Sequence, residues 1–180
     1  RLTYENPRIS QALLASGAGM GDEEMTAAGL RSLSWLVQIQ TSDEGYFAPI
    51  GSNGWYVRGG PKAAFDQQPV EACAMVAACL LAQRVTHDDT WDEHAQRAFD
   101  WFLGQNQIRQ PLCDATTGAC RDGLHPVGLG DARARGRATR DQVDEPSRGI
   151  ADAERVMVSM SSIPSATERL LRAGARLAGG

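Results

Sequence analysis

Phe65-Asp66-Gln67-Gln68-Pro69-Val70-Glu71-Ala72-Cys73-Ala74-Met75-Val76-Ala77-Ala78-Cys79-Leu80-Leu81 decides the fold. From Val70 onward apolar side chains cover every face of a 3.6-residue period, so the spacing predicts a helix over residues 68–85 that is buried on all sides. Pro69 falls in the first turn, where a missing N–H is harmless, and Asp66 stands at the boundary as a candidate cap. Asp66, Gln67, Gln68 and Glu71 therefore crowd polar groups onto the mouth of an apolar helix. If Gln67, Gln68 and Glu71 are all helical, their three- and four-residue spacings make one polar patch. Polar groups entering a core need partners, so the cluster is either a structural knot or the floor of a polar-ligand site.

A shift of 66 residues lays a second copy of this unit over the first: Glu5 on Glu71, Ala12 on Ala78, Leu14 on Leu80, Asp22 on Asp88, Arg31 on Arg97 and Trp35 on Trp101. Each copy reads as an apolar helix, a short polar turn and an amphipathic helix ending in a Trp-containing patch. In the second copy Trp91, Ala95, Ala98, Phe99, Phe102 and Leu103 keep the spacing of a one-sided helix, with Asp92, Glu93, Gln96 and Arg97 facing outward. Gly17-Ala18-Gly19-Met20-Gly21 reads as the turn that stops the first helix, since no strand precedes it as a nucleotide-binding glycine loop requires. An all-round apolar helix paired with a one-sided one implies an inner layer lined by an outer one. The expected fold class is all-α: helical hairpins of a partial (α/α) toroid, with long Gly/aromatic loops and an irregular C-terminal tail.

Residues 1–127 form the expected domain, 128–149 a linker-like segment without apolar period, and 150–180 a divergent tail. In that tail Ser165-Ala166-Thr167-Glu168 is a capping box ahead of a short helix. The chain opens Arg1-Leu2-Thr3-Tyr4-Glu5 inside a pattern, as an excised or incomplete domain does.

With 42% hydrophobic and 22% charged residues the chain has ordinary globular composition, and its net charge of −4 supplies no broad basic field for nucleic acid. The uninterrupted apolar run at residues 72–82 falls short of the roughly 20 residues a bilayer demands, so no membrane partner is expected. Cys73 and Cys79 lie in the apolar helix, whereas Cys113 and Cys120 flank a turn-rich loop. Neither pair has metal-ligand spacing, and four free thiols in a reducing cytoplasm are expected, with a Cys113 to Cys120 disulfide left open. His87 and His94 have no third ligand by spacing, so neither metal nor cofactor is expected.

The loop at residues 41–64, rich in Gly, Ser, Asn and aromatics, is too long to be a mere connector, and its aromatics argue against disorder. Trp55 and Tyr56 offer a stacking surface, while amide and carboxylate groups suit hydroxyl recognition. Cleavage of a glycosidic bond needs two carboxylates about 5 to 9.5 Å apart. Asp66 or Glu71 are the candidate acid/base residues, set against Asp43, Glu44 or Asp122. His125, before Pro126, is a candidate ligand contact or proton shuttle. No serine sits in a nucleophile elbow.

Gly51-Ser52-Asn53-Gly54-Trp55-Tyr56, Phe65-Asp66-Gln67-Gln68-Pro69-Val70-Glu71-Ala72, Ala98-Phe99-Asp100-Trp101-Phe102-Leu103-Gly104 and Cys120-Arg121-Asp122-Gly123-Leu124-His125-Pro126 together resemble a bacterial domain of the six-hairpin-glycosidase type. Such domains occur in proteins labelled as glycosyltransferases or linked to mannoside metabolism. The likeness covers about residues 1–126 and implies an (α/α) toroid and carbohydrate handling; it does not by itself imply that the stand-alone domain is active. On the enzyme reading Asp66 and Glu71 are the candidate catalytic residues, and Asp43, Asn53, Trp55, Gln67, Gln68, Asp122 and His125 the candidate sugar contacts. The expected partners are a carbohydrate ligand and either the remaining hairpins of a longer parent or further copies of the chain. Such domains continue after His-Pro with an Asn-Glu-Asn-Gln-Gly-Ala-Glu-Ser-like helix start, where this chain reads Gly128-Leu129-Gly130-Asp131-Ala132-Arg133-Ala134-Arg135. A divergent tail or a change of reading frame accounts for that departure, and translating the other two frames beyond the Pro126 codon distinguishes them. The rival to a carbohydrate-active domain is a non-catalytic helical scaffold in which the same residues cap helices and pin loops.

Overall fold

Gly21 and His87, which the 66-residue shift superposes, both adopt left-handed backbone (φ 69° and 55°), and each returns its N–H to the carbonyl four residues back, Gly17 or Gln83. The two hairpins thus turn over at equivalent points. The structure is a computed structural model and describes residues 1–114 and 120–125, with the backbone of 128–129. Helices α1 (Pro7–Met20) and α2 (Glu23–Ile39) make the first hairpin, and α3 (Pro69–Thr86) and α4 (Thr90–Asp100) the second. The expected all-α class holds for the described residues. The one strand pairing described is two residues long, β1 (Leu124–His125) antiparallel to β2 (Gly128–Leu129).

The hairpins meet through α1 and α3, with α2 beside α1 and α4 beside α3, so α3 lies in the middle of the group. Its central place explains why its sequence is apolar all round: ten of its residues, from Pro69 to Ala82, are buried. By length and composition α3 could span a membrane, but 61% of it is buried inside the fold, as a core helix is. Phe99, Trp101 and Phe102 close the core from the α4 side, and Leu14, Leu33, Leu112 and Leu124 from the others.

The structure differs from the sequence expectation at two turns and one helix position. Gly17 to Met20 continue α1 rather than ending it, and only Gly21-Asp22 form the turn. Gly17 is there for close approach: a Cβ on it would stand 2.5 Å from Thr26 Oγ1 and 2.7 Å from Thr26 N. Helix α4 ends at Asp100, and the chain turns over Trp101 to Gly104, where Gly104 has φ 100°. Gln96 is also buried, 9% exposed, because its amide folds along the helix to donate to Asp100 Oδ1 at 2.8 Å.

At the helix starts the 66-residue alignment breaks down. Helix α1 has 14 residues and α3 has 18, so the shift that superposes their C-caps cannot superpose their N-termini. Left-handed Glu5 (φ 51°) precedes Pro7 as left-handed Asp66 (φ 59°) precedes Pro69. Each hairpin thus places a left-handed residue shortly before its helix-starting proline, two residues ahead at Glu5 and three at Asp66, and counted from the prolines Glu5 does not correspond to Glu71.

The long loop is ordered by a few strong contacts. Lys62 Nζ donates to the carbonyls of Ile39 (2.8 Å) and Ala48 (2.7 Å), tying the loop to the end of α2. Gly51 passes so close to Phe65 that a Cβ would lie 1.8 Å from the Phe65 carbonyl oxygen. The linker-like segment beyond Leu129, the divergent tail, its capping box and the frame question lie outside the described residues.

Candidate functional site

Glu71 lies in the first turn of α3, 2% exposed, and its carboxylate is the acceptor for two other elements. Asn6 donates twice, from Nδ2 to Oε1 (3.0 Å) and from its backbone N–H to Oε2 (3.2 Å), and Gln40 Nε2 donates to Oε1 at 2.8 Å. Asn6 immediately precedes α1 and Gln40 caps the end of α2, so one carboxylate knots three helices. Burial pushes its proton affinity above the ordinary glutamate range, and the Asn6 and Gln40 hydrogen bonds pull partly back.

Gln67 is equally committed. It is extended rather than helical, and its backbone pairs with Leu124 in both directions (3.1 and 3.0 Å). Its side-chain oxygen accepts from the buried Trp101 indole at 2.9 Å, and its nitrogen donates to the Ala64 carbonyl at 2.9 Å. Gln68 is the extended N-cap residue of α3 and makes no side-chain cap bond. The single helical face foreseen for Gln67, Gln68 and Glu71 does not form, because α3 begins only at Pro69.

Asp66 is turned away from that knot. Its left-handed backbone, which Asp tolerates better than most residues, presents its carbonyl to Ser52 N (3.0 Å), Ser52 Oγ (3.1 Å) and Gln68 Nε2 (3.4 Å). Its carboxylate Oδ1 meets His125 Nδ1, with the side chains 29% and 15% exposed. The Gln67–Leu124 pairing delivers the histidine to this place. A carboxylate partner makes Nδ1 the donor of this contact. His125 Nε2 and Gln68 Nε2 both border Gly123: a Cβ there would lie 3.5 and 3.4 Å from them, and 2.7 Å from the Gln67 carbonyl oxygen. Asp122, half-buried, precedes that glycine. The structure thus gathers Asp66, Gln68, Asp122 and His125 on one arm and loop end.

The remaining candidates lie elsewhere. Trp55, left-handed at φ 62°, packs edge-on against Tyr4 with ring centroids 4.5 Å apart. Asn53 is exposed in the turn before it, and Asp43 is exposed in the loop where its charge acts on Lys62. Asn6, Gln40, Ser52 and Trp101, which organise the candidate residues, were not singled out for that role by the sequence. Asn6-Pro7 was the available signal, a polar residue ahead of a helix-starting proline just as Gln68 precedes Pro69.

Surface hollows among the described residues include two of defined volume. One, about 640 Å³, lies between the Glu44–Tyr46 turn, α4 and Arg109. Its charges answer one another: Arg109 pairs with Glu44 and lies over the Tyr46 ring at 5.0 Å. The other, about 350 Å³, lies between α1 and α2 around Gly17 and Thr26. Neither is lined by Asp66 or His125. Among the described residues no group of three or more His, Cys, Asp or Glu side chains is placed to hold a metal ion. No protein-family model matches the chain, and no curated protein matches it.

Proposed function

We propose that the chain is a carbohydrate-binding domain built from the first hairpins of an (α/α) toroid, and that its sugar contact is centred on the Asp66–His125 pair. The observation that carries this is the contrast in exposure between the carboxylates. Glu71 is 2% exposed and fully engaged by Asn6 and Gln40, whereas the Asp66 side chain is 29% exposed and orients an imidazole. A carboxylate, an imidazole and the Gln68 amide offer the mixed polar groups that sugar hydroxyls need. The motif likeness at residues 51–56, 65–72 and 120–126 supports the same substrate class, and Asp122 extends the polar surface.

Binding is favoured over cleavage. With Glu71 taken up in the helix knot, only Asp66 of the two candidate acid/base residues remains to work against a second carboxylate across a glycosidic bond. The scaffold alternative draws its support from Glu71 and Gln67, both of which hold helices and loops together.

Calorimetric titration of mono- and oligosaccharides into the parent, Asp66→Asn and Glu71→Gln tests the proposal. Saccharide binding that is lost in Asp66→Asn at unchanged thermal midpoint, and kept in Glu71→Gln below its lowered midpoint, is the expected result. A parent that binds no saccharide, with both variants destabilised, establishes the scaffold instead.

A further inference from the structure

Cys113 and Cys120 face each other as partners of an antiparallel bridge. The Arg121 N–H donates to the Leu112 carbonyl at 3.0 Å, and the Cys113 N–H goes instead to Phe102. Cys113 and Cys120 are thus a non-hydrogen-bonded pair, the position where opposed Cα atoms approach to about 4.5 Å and side chains lie closest. That spacing falls inside the roughly 4.4–6.8 Å over which a disulfide closes. Both residues are half-buried free thiols.

We propose that Cys113 and Cys120 are a thiol–disulfide exchange site whose substrate is a low-molecular-weight disulfide such as glutathione disulfide. The Cys120 thiol donates to the Arg121 carbonyl at 3.5 Å and so keeps its proton, while the adjacent Cys120 lowers the proton affinity of Cys113, which makes Cys113 the attacking sulfur. The Cys113 thiolate attacks one sulfur of the glutathione disulfide. The S–S bond breaks, one glutathione leaves as a thiolate that takes up a proton, and Cys113 is left as a mixed disulfide. Cys120, losing its proton to solvent, then attacks the Cys113 sulfur and expels the second glutathione. Two protein thiols are oxidised to one disulfide, and one glutathione disulfide is reduced to two thiols.

Cys73 and Cys79 provide the internal contrast. They are 1% and 0% exposed on α3, and burial pushes the Cys79 thiol up to about 12. The exchange site stands independently of the sugar proposal, but it has a structural consequence. Cys120 begins the arm on which Leu124 pairs with Gln67 and His125 meets Asp66, so the disulfide fastens that arm to the turn after α4.

The test is to incubate the full chain with glutathione disulfide, alkylate, and map the peptides by mass spectrometry. A Cys113–Cys120 crosslink, with Cys73 and Cys79 alkylated only after unfolding, is expected. Cys120→Ser should stop at the first step and hold glutathione on Cys113. Persistence of two alkylatable thiols at 113 and 120, or a Cys120→Ser protein that takes up no glutathione at Cys113, overturns the proposal.

Discussion

Asn6 and Glu71 meet across 65 residues of chain, with both the side-chain amide and the backbone N–H of Asn6 donating to the Glu71 carboxylate. Three donors converge on two oxygens once Gln40 is added. Replacing Glu71 by Gln leaves one oxygen to serve them, and an unmade buried hydrogen bond costs about 1–3 kcal/mol. Glu71→Gln should therefore lower the urea midpoint, and Glu71→Ala should lower it more. A cycle with Asn6→Ala should return a coupling of about 0.5–3 kcal/mol.

The same residue sets a pH dependence. Burial raises the folded-state proton affinity of Glu71 above its ordinary value of 4.5. The folded chain then holds this proton more tightly than the unfolded chain. The contribution is fully present below pH 4.5 and is lost as pH rises through the folded value. The stability difference between parent and Glu71→Gln, followed by urea unfolding across that range, should shift in favour of the variant as pH rises. A difference independent of pH would contradict the burial account.

Lys62 has the opposite linkage. Burial pulls its ammonium from 10.5 down to about 8, with Asp43 working against the fall. Between those values the unfolded chain holds more protons, so stability should rise with pH there. Lys62→Met removes that rise. It also deprives the Ile39 and Ala48 carbonyls of their donor, so the variant should be less stable throughout, by about 1–3 kcal/mol. Thermal midpoints of both proteins from pH 7 to 11, taken as a difference, check both effects.

Gln67→Leu isolates the loop anchor. It strips the Trp101 indole and the Ala64 carbonyl of their partners while keeping side-chain bulk, and should cost about 1–3 kcal/mol. A change in tryptophan emission should accompany the loss. A variant with parental midpoint and emission would mean that Gln67 is not the anchor.

Helix α3 was legible because the unbroken apolar run from Ala72 to Leu81 leaves it no polar face, as a helix in the middle of the group requires. The hairpin turn was legible through Asp22 and Asp88 but misplaced around Gly17, whose role is set by Thr26 on the other helix. Local periodicity carries no record of such a contact. The place of Gln67 outside the helix is hidden for the same reason: its pairing with Leu124 is long-range, and nothing nearby in sequence announces it. Glu71 posed the choice between knot and site, and the donors it meets, Asn6 and Gln40, come from two other elements that the local sequence does not announce. Asp66 and His125 were separate candidates in sequence, and their meeting depends on an arm that the Gln67 pairing delivers.

The ring resonances of His125 test the central claim most directly, since His87 and His94 serve as references in the same spectrum. On titration with a saccharide that the parent binds, the His125 ring signals should shift while those of His87 and His94 stay in place. Asp66→Asn should abolish the shift without lowering the thermal midpoint. A saccharide that binds without moving the His125 signals, or moves them equally in Asp66→Asn, would contradict the assignment of the Asp66–His125 pair as the sugar contact.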